Sequence, residues 1–563
     1  MKLRTSFFNV TVLRKNLIRF APLWVLYAVG EVLGLLTMNL SQPGNAADSL
    51  VHIMGPIAVF HAAYALVAAA CLFGDLFDSR LCNGLHAMPM RRDGWLLTNL
   101  VSGLLFALIP AVVSGTVAAI ALREFYWIAL LWQATGLLQF VFFFGLAVFC
   151  AMCAGKRLSM IAIYVILNYL SWLIFWVANV VYQPLLPGVV LSDENFYLFS
   201  PVITMMSHES YINFYYDGIL GGFFRGFEAQ NWNYLYICAA LGVLFMVLAW
   251  LVYRKRHLET AGDFVSFRPM RMFFLLTYTL AMGVAIFSFS GAFFGTEGNA
   301  AFLVIGLLIG WFTGWMLLER TVKVFTKKVM LGCLTFAMVF AGTIGVTVWD
   351  PAGITRYVPQ TQDVEFACVY PFSYSYYYAG NFAYGGRYDT DPDEIAQVQE
   401  LHKQMIDVTD KANREAVSVG IKYRLKNGKI ISRSYEVPAE STAAENLRPY
   451  FSDLRSVFGV NDWSQVRENM TYGRIYWQEE RLDTELFWPD EQERLLEALE
   501  ADAQAGLLAQ NDWYHGINSF VANLSMEWTE LDEEGFPRTR NEIITIYDDC
   551  VHTCAFLETL KND

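Results

Sequence analysis

Nine apolar stretches, at about 20–40, 51–73, 95–119, 127–153, 158–182, 233–253, 272–294, 299–318 and 329–348, fill the first 350 residues, whereas polar positions dominate the rest. Each stretch meets or nearly meets the roughly 20 residues that a helix needs to cross about 30 Å of hydrocarbon, and each carries few charges. The pattern predicts a polytopic α-helical membrane protein of about nine transmembrane helices, followed by a C-terminal mixed α/β domain.

The polar segments between the stretches alternate in sign. Lys2, Arg4, Arg14, Lys15 and Arg19 precede the first; Arg80, Arg91 and Arg92, then Lys156 and Arg157, then Arg254, Lys255, Arg256, Arg268 and Arg271, then Arg320, Lys323, Lys327 and Lys328 fill every second loop. The intervening loops 41–50, 120–126, 183–232 and 295–298 hold only Arg123 and Arg225. Basic loops stay on the cytoplasmic side, so the N-terminus is expected inside and the C-terminal domain outside, in a multi-pass plasma-membrane protein. The start of the chain, basic ahead of a full-length span, does not read as a cleavable signal.

In residues 1–19, Phe7, Phe8, Val10, Leu13, Leu17 and Ile18 recur at helical spacing opposite the basic residues, which predicts an amphipathic helix lying in the membrane interface. The long outer loop 183–232 contains Tyr211 to Tyr216 and Ile219 to Phe224, too apolar for a solvated loop and too short to span; short re-entrant or interfacial helices are expected there.

After the last span, Tyr370 to Tyr388 is rich in Tyr, Phe, Ser and Gly, and Asp391 or Asp393 is placed to cap a helix carrying Ile395, Val398, Leu401, Met405 and Ile406. Val417, Val419, Ile421, Tyr423 and Leu425 alternate strictly, as do Ile431, Arg433, Tyr435 and Val437 beyond Asn427-Gly428. A two-residue turn would put the second apolar set on the wrong face. A three-residue loop, Lys426 to Gly428 with Gly428 left-handed, pairs Tyr423 with Ile431, Val419 with Tyr435 and Val417 with Val437. A helix after Pro489 through Leu495, Leu496, Leu499 and Ala503, a strand Glu542 to Tyr547 and a closing helix through Leu557 and Leu560 complete the expected elements.

Composition sharpens this division. The chain is 55% hydrophobic and 16% aromatic with a net charge of -13. Residues 350–563 hold 38 acidic and 19 basic side chains, leaving 15 acidic and 21 basic in the remainder. A basic membrane part joined to an acidic outer domain accounts for that split, and nothing in it suits nucleic acid.

Candidate chemistry is sparse. His402, His515 and His552 are far apart in sequence, and neither Gly-x-Ser-x-Gly nor His-Glu-x-x-His occurs, so no catalytic set is assigned. Cys550-Val-His-Thr-Cys554 after Asp548 and Asp549 has zinc-type donors, but packing of small residues on a helix, or a disulfide from Cys368 to Cys550 or Cys554, accounts for it more economically; no metal is assigned. Within the spans, Glu31, His61, Gln133, Gln139 and Asn168 are the notable polar residues, marking either a pathway or interhelical contacts. Glu31 with His61 reads as a proton relay or, more blandly, as a structural polar pair between neighbouring spans.

The inner loop from Asp75 to Gly94 is the most informative segment. Its Gly84, Leu85, Met88, Pro89, Arg91 and Arg92 resemble the cytoplasmic coupling segment of the type-2 exporter class of ABC transporter permeases, in which a short helix with Gly, apolar residues and then Pro and Arg precedes the next span. The basic amphipathic start is similar to that family's elbow helix, and Arg254-Lys-Arg-His-Leu-Glu-Thr-Ala-Gly-Asp-Phe to an Arg-x-x-Glu-x-Ala-Gly pattern of Gram-positive members. The resemblance implies that residues 84–92 dock on an ABC ATPase subunit, that a second permease subunit completes a homo- or heterodimer, and that an amphipathic antibiotic, peptide or lipid-like molecule is exported. It covers residues 1 to about 275.

Read this way, the chain divides into an elbow helix at 1–19, a six-span core at 20–255 with its outer loop 183–232, three added spans within 256–349 that the family core lacks, and an acidic outer α+β domain at 350–563. No Gly-x-x-x-x-Gly-Lys-Ser/Thr loop is present, so ATP and Mg belong to the partner ATPase and this chain is expected to be neither an enzyme nor a cofactor carrier. The competing reading is a membrane-anchored sensor or envelope assembly factor whose outer domain binds a ligand without transport.

Overall fold

The computed structural model describes residues 8–38, 40–87, 91–191, 200–207, 212–217, 223–229, 232–256, 264, 268–294, 300–371, 387–408, 416–438, 440–458, 460, 462–477, 483–486, 488–508, 520–531 and 537–562. It forms two compact units, one of residues 1–177 and 193–340, the other of 178–192 and 341–563.

The first unit is helical: α1 Val10–Arg19, α2 Ala21–Leu36, α3 Pro43–Ile53, α4 Ala58–Leu72, α5 Ser79–Ala87, α6 Arg92–Leu122, α7 Tyr126–Cys153, α8 Arg157–Val177, α9 Pro201–Ser207, α10 Trp232–Lys255, α11 Arg268–Phe294, α12 Ala300–Glu319 and α13 Lys327–Trp349. Six stretches among the described residues are long and apolar enough to cross a membrane, or up to eight if each of two bent pairs is one span. Long apolar helices of this kind make the chain compatible with a multi-pass membrane protein.

One of the six, Arg92–Cys153, contains both α6 and α7. Arg123 at φ 50 breaks it. Gln133 beyond the break donates to Ser114 before it, and the Phe144 ring lies against Gly103, so the two helices run antiparallel.

The bent pairs have local causes. α1 meets α2 at 58°, with Pro22 in the first turn of α2, and α3 meets α4 at 62° across Gly55-Pro56, where proline removes a donor. The amphipathic start is therefore a short helix, with Val10 and Ile18 about two-thirds exposed. It is tied to α6: the Asn9 side chain caps α1 through Val12 N at 3.2 Å, and Asn16 Nδ2 donates to Asn99 Oδ1 at 2.7 Å and to Ser102 Oγ at 3.0 Å.

The loop 183–232 departs from expectation. Ile212–Asp217 (β1) and Phe223–Ala229 (β2) form an antiparallel hairpin, Ile212 opposite Ala229 and Phe214 opposite Phe227, instead of short helices. Overall apolarity suggested helix, but Tyr, Phe and Ile in succession favour a pleated strand and won over the hydropathy signal. Ile219 to Gly222, between the strands, lie outside the described residues.

In the second unit, β3 Val364–Pro371, β4 Ala416–Leu425 and β5 Ile430–Pro438 form one antiparallel sheet in the order β3-β4-β5. The register is the one expected from alternation: Tyr423 faces Ile431, Val419 faces Tyr435 and Val417 faces Val437, with Gly428 at φ 81. Helices α14 Pro392–Val408 and α15 Thr442–Ser452 contribute Ile395, Val398, Met405, Ala443 and Leu447 to the core under this sheet. The Asp391 side chain accepts from Asp393 N as α14 begins.

The second sheet has the order β7-β6-β8-β9, from β6 Met470–Trp477, β7 Asp483–Leu486, β8 Phe520–Leu531 and β9 Pro537–Tyr547. Its core joins Ile475, Leu524, Met526, Trp528, Ile544 and Ile546 to Leu454 and Val457 of α16 Leu454–Val457, Val466 of α17 Trp463–Asn469, Leu495, Leu496 and Leu499 of α18 Pro489–Gln504, and Leu557 of α19 Val551–Asn562. Most of the Tyr-rich stretch, residues 372–386, lies outside the described residues.

Candidate functional site

Four of the five polar residues singled out in the spans are buried, and Gln133 is partly so. Gln133 and Gln139, six residues apart on α7 with Gly136 midway, lie about 120° apart around its axis and so meet different neighbours. At one end Gln133 Nε2 donates to Ser114 Oγ at 3.1 Å, and Ser114 Oγ lies 2.6 Å from Glu31 Oε2. At the other, Gln139 Oε1 is 2.7 Å from His61 Nδ1 while its Nε2 donates to the Met54 carbonyl at 3.0 Å, which ties α7 to α4 and to the end of α3. His61 packs against Gly136 between them, with Nε2 lacking a partner among the described residues.

Glu31 and His61 are therefore not a bonded pair. Tyr27 lies between: its ring stacks on Tyr64 at 4.1 Å and stands 6.1 Å from His61. Asn168 stands apart, donating to Tyr164 O one turn back in α8. Tyr27, Tyr64 and Ser114 belong to these contacts without having been read from the sequence. Tyrosine and serine are common in apolar helices, and only the helix-to-helix register reveals that these face a carboxyl.

The segment between α4 and α6 is built in three steps. A one-turn helix, Gly74–Phe77, follows α4; Asp78 is extended and its Oδ1 accepts from Arg80 N at 2.8 Å and Leu81 N at 3.2 Å, starting α5; Arg91 is extended and α6 begins at Arg92. Gly84, Arg91 and Arg92 are exposed, Leu85 is in α5, and Met88 and Pro89 lie outside the described residues.

Arg256 clamps the base of this segment. Its guanidinium donates to Ala151 O at 2.9 Å and Met152 O at 3.2 Å, at the C-terminus of α7, and to Leu76 O at 3.1 Å, in the turn that launches α5. Carbonyls at a helix end lack intrahelical donors, and a planar fork of donors satisfies several together. Nearby, Asp93 in the first turn of α6 accepts from Trp250 Nε1 at 2.8 Å, with Arg254 stacked over the Trp250 ring at 5.0 Å. Residues 257–263, the rest of the Ala-Gly motif, lie outside the described residues.

In the second unit, β5 gathers the two chain segments that arrive from helices α8 and α13. The strap after α8 pairs with it: Ser434 N donates to Gly188 O at 3.1 Å, Val189 bridges Arg433, and Gly188 at φ 75 sits against the Tyr435 ring where a side chain would collide. Tyr182 Oη lies 2.8 Å from Thr343 Oγ1 of α13. After α13, Asp350 accepts from Ile354 N, Thr355 N and Thr355 Oγ1 at 2.7–2.9 Å, and those bonds hold its carboxyl below the usual range. Arg433, 4% exposed, donates to the carbonyls of Ile354 and Tyr357, and Gln399 to that of Pro359. The linker is thereby a folded strut.

Behind Arg433, His402 is fully buried, with Nδ1 3.2 Å from Tyr423 Oη and Nε2 2.8 Å from Tyr435 Oη. Burial, and then the Arg433 charge, push its pKa down to about 3, so the ring is neutral.

All nine cysteines are free thiols, and the cross-link from Cys368 is not formed. Cys550 Sγ points to Leu507 O and Cys554 Sγ to Tyr547 O, each at 3.2 Å, and burial pushes them up to about 12 and about 11 respectively. The neighbouring acid is also engaged: Asp502 accepts from His552 N, Thr553 N and Thr553 Oγ1, capping α19. This stretch is a helix start packed on a core. Among the described residues no three His, Cys, Asp or Glu groups are placed to share an ion.

No family model, curated protein or solved structure matches the chain.

Proposed function

We propose that this chain is the membrane-spanning permease subunit of an ATP-driven exporter for an amphipathic compound, working with a separate ABC ATPase and a second permease subunit. In this reading it crosses the plasma membrane nine times, with α2 as the first crossing and α1 as the interfacial elbow helix, the α3–α4 pair as one crossing and α6 and α7 as two, the N-terminus in the cytoplasm and the acidic domain outside. The observation that carries the reading is the inner segment: a short helix, α5, followed by exposed Arg91 and Arg92 at the start of α6, with its root fastened by Arg256 to α7. A force applied to such a helix passes directly to the ends of α4, α6 and α7. ATP and Mg are held by the partner in this account, and lipid surrounds the spans.

Orientation has its own test. With an impermeant thiol reagent on intact cells, Asn427→Cys, at the exposed tip of the β4–β5 hairpin, is expected to label above the native thiols, and Lys323→Cys, in the basic loop after α12, only after permeabilisation. Reversed labelling would refute both the topology and the exporter reading. Partnership is tested by capture of an ATP-hydrolysing subunit through the full-length chain, which Arg91→Glu with Arg92→Glu is expected to weaken without changing insertion.

The sensor reading keeps one specific support: the strap after α8 and the strut after α13 are both held on β5 within the outer domain, so a ligand that moved this sheet would act on both segments. Ligand binding by the outer domain with no associated ATPase would favour it.

A further inference from the structure

We propose that the loop joining α12 to α13, Arg320 to Lys328, is a docking surface for the headgroups of anionic phospholipids, and that the bound lipid seats the foot of α13 at the membrane surface. The inference needs only that these two apolar helices cross a membrane; it does not depend on the exporter reading. Residues 320–328 hold four cations, Arg320, Lys323, Lys327 and Lys328, and no acid. The carboxyl next to them in sequence, Glu319, is engaged by Arg271 at 2.8 Å. Among the described residues no carboxylate pairs with any of the three lysines, and all three are exposed.

The cations are interleaved with apolar side chains that the fold holds outward. Val322 is 75% exposed and Phe325 70%, whereas Val324 between them is 2% exposed. The loop is pinned by its own bonds: Lys323 N donates to Thr321 Oγ1 at 3.1 Å, Thr326 N to Val324 O at 2.7 Å and Val329 N to Thr326 Oγ1 at 3.4 Å. One side of the Phe325 ring rests against Phe312 of α12, the centroids 4.9 Å apart. Basic residues alone would suffice to keep a loop on one side of a membrane. That role asks for no exposed valine and phenylalanine, which are unfavourable in water. Headgroup phosphates over acyl chains satisfy both sets of side chains together.

Position favours lipid over an acidic protein. Both ends of the loop run into helices with exposed apolar residues, Ile309 on α12 and Met330, Leu331 and Leu334 on α13, so the patch continues an apolar surface instead of standing clear of it. α13 also has the greater need of an outside hold: 6% of its apolar window is buried within the protein, against 28% for α10 and for α12. Near the loop it is held by Trp311, whose Nε1 donates to Val329 O at 3.2 Å and whose ring stacks on Phe336.

The test is amine labelling of the wild-type, full-length protein in nanodiscs of phosphatidylcholine alone and with added phosphatidylglycerol, read residue by residue by mass spectrometry. One lysine near an anionic surface is worth about fivefold in affinity, so labelling of Lys323, Lys327 and Lys328 is expected to slow about fivefold or more with the anionic lipid. Lys255, exposed at the end of α10, reports the general effect of surface charge and is expected to slow less. Val322→Ser with Phe325→Ser keeps every charge that holds the topology, and is expected to speed labelling of the three lysines by about threefold or more. Equal labelling with and without phosphatidylglycerol would overturn the proposal and leave the basic face to an acidic protein. Slowing no greater than that of Lys255, or a serine variant protected as well as the wild type, would overturn it too.

Discussion

Gly242→Val is expected to prevent the membrane unit from reaching its folded form. A Cβ at Gly242 would lie 2.5 Å from Val141 O and 2.6 Å from Phe142 Cα, and a Cβ at the facing Gly145 would run into Gly242 O. The obstruction is backbone on both sides, so no rotamer change relieves it. Parting the helices instead separates Phe245 from Phe142 and Phe149, whose rings are 6.3 Å and 5.6 Å from it. Helices in lipid associate mainly through close packing at small residues, so the loss falls on the term that holds them together; overpacking alone costs about 1–3 kcal/mol. Size-exclusion chromatography of detergent extracts is the measurement. Gly345→Val, at a helix position with open space around it, is expected to elute as the wild type does. Equal elution of the two variants would contradict the α7–α10 contact.

Acid is expected to loosen the β4–β5 sheet through His402. The ring has a folded pKa of about 3 against an unfolded value of about 6.5, so between those values the unfolded chain binds a proton that the folded chain refuses. Stability is full above about pH 6.5 and falls by about 1.4 kcal/mol per unit as the pH drops toward 3, which makes about 2 kcal/mol by pH 5. Paired carboxylates add a fall in the same direction, but nearer their own lower range. Hydrogen exchange of β4 and β5 amides in the full-length protein, followed from pH 7 to 5, reads the effect. His402→Gln is expected to flatten the slope; a slope identical to that of the wild type would assign the acid sensitivity elsewhere.

Period-two alternation made the β4–β5 hairpin legible to the residue, because a slip of one position would have turned Tyr423 and Tyr435 to solvent. Long apolar runs made the span helices legible for the same reason of pattern. What failed was local competition: Ile212 to Asp217 is as apolar as an interfacial helix, and aromatic strand preference decided it. Of the second sheet only β9 was legible, through Glu542 to Tyr547; β6 and β8 alternate Arg474, Tyr476 and Asn523 with buried residues over short runs, a weak signal beside the long apolar runs. Glu31, His61, Gln133 and Gln139 were visible as polar residues in apolar helices, but their partition into two separate contacts was not, since Ser114, Tyr27 and the Met54 carbonyl that divide them are ordinary in sequence. Likewise the basic loop gave Arg256 a topological role, and only folding brings it onto Leu76 and Ala151.

In the proposed function this chain receives the work of a separate ATPase through residues 84–92. Affinity purification of the full-length, tagged protein from its native membranes, followed by an ATP hydrolysis assay on what is retained, tests it most directly. A co-purifying subunit that hydrolyses ATP is expected, its retention dropping roughly tenfold or more when Arg91→Glu and Arg92→Glu reverse the charge at the proposed docking surface, because apposed like charges cost several kcal/mol. A correctly inserted double variant that retains as much ATPase as the wild type, or a wild-type chain that retains none, would contradict it.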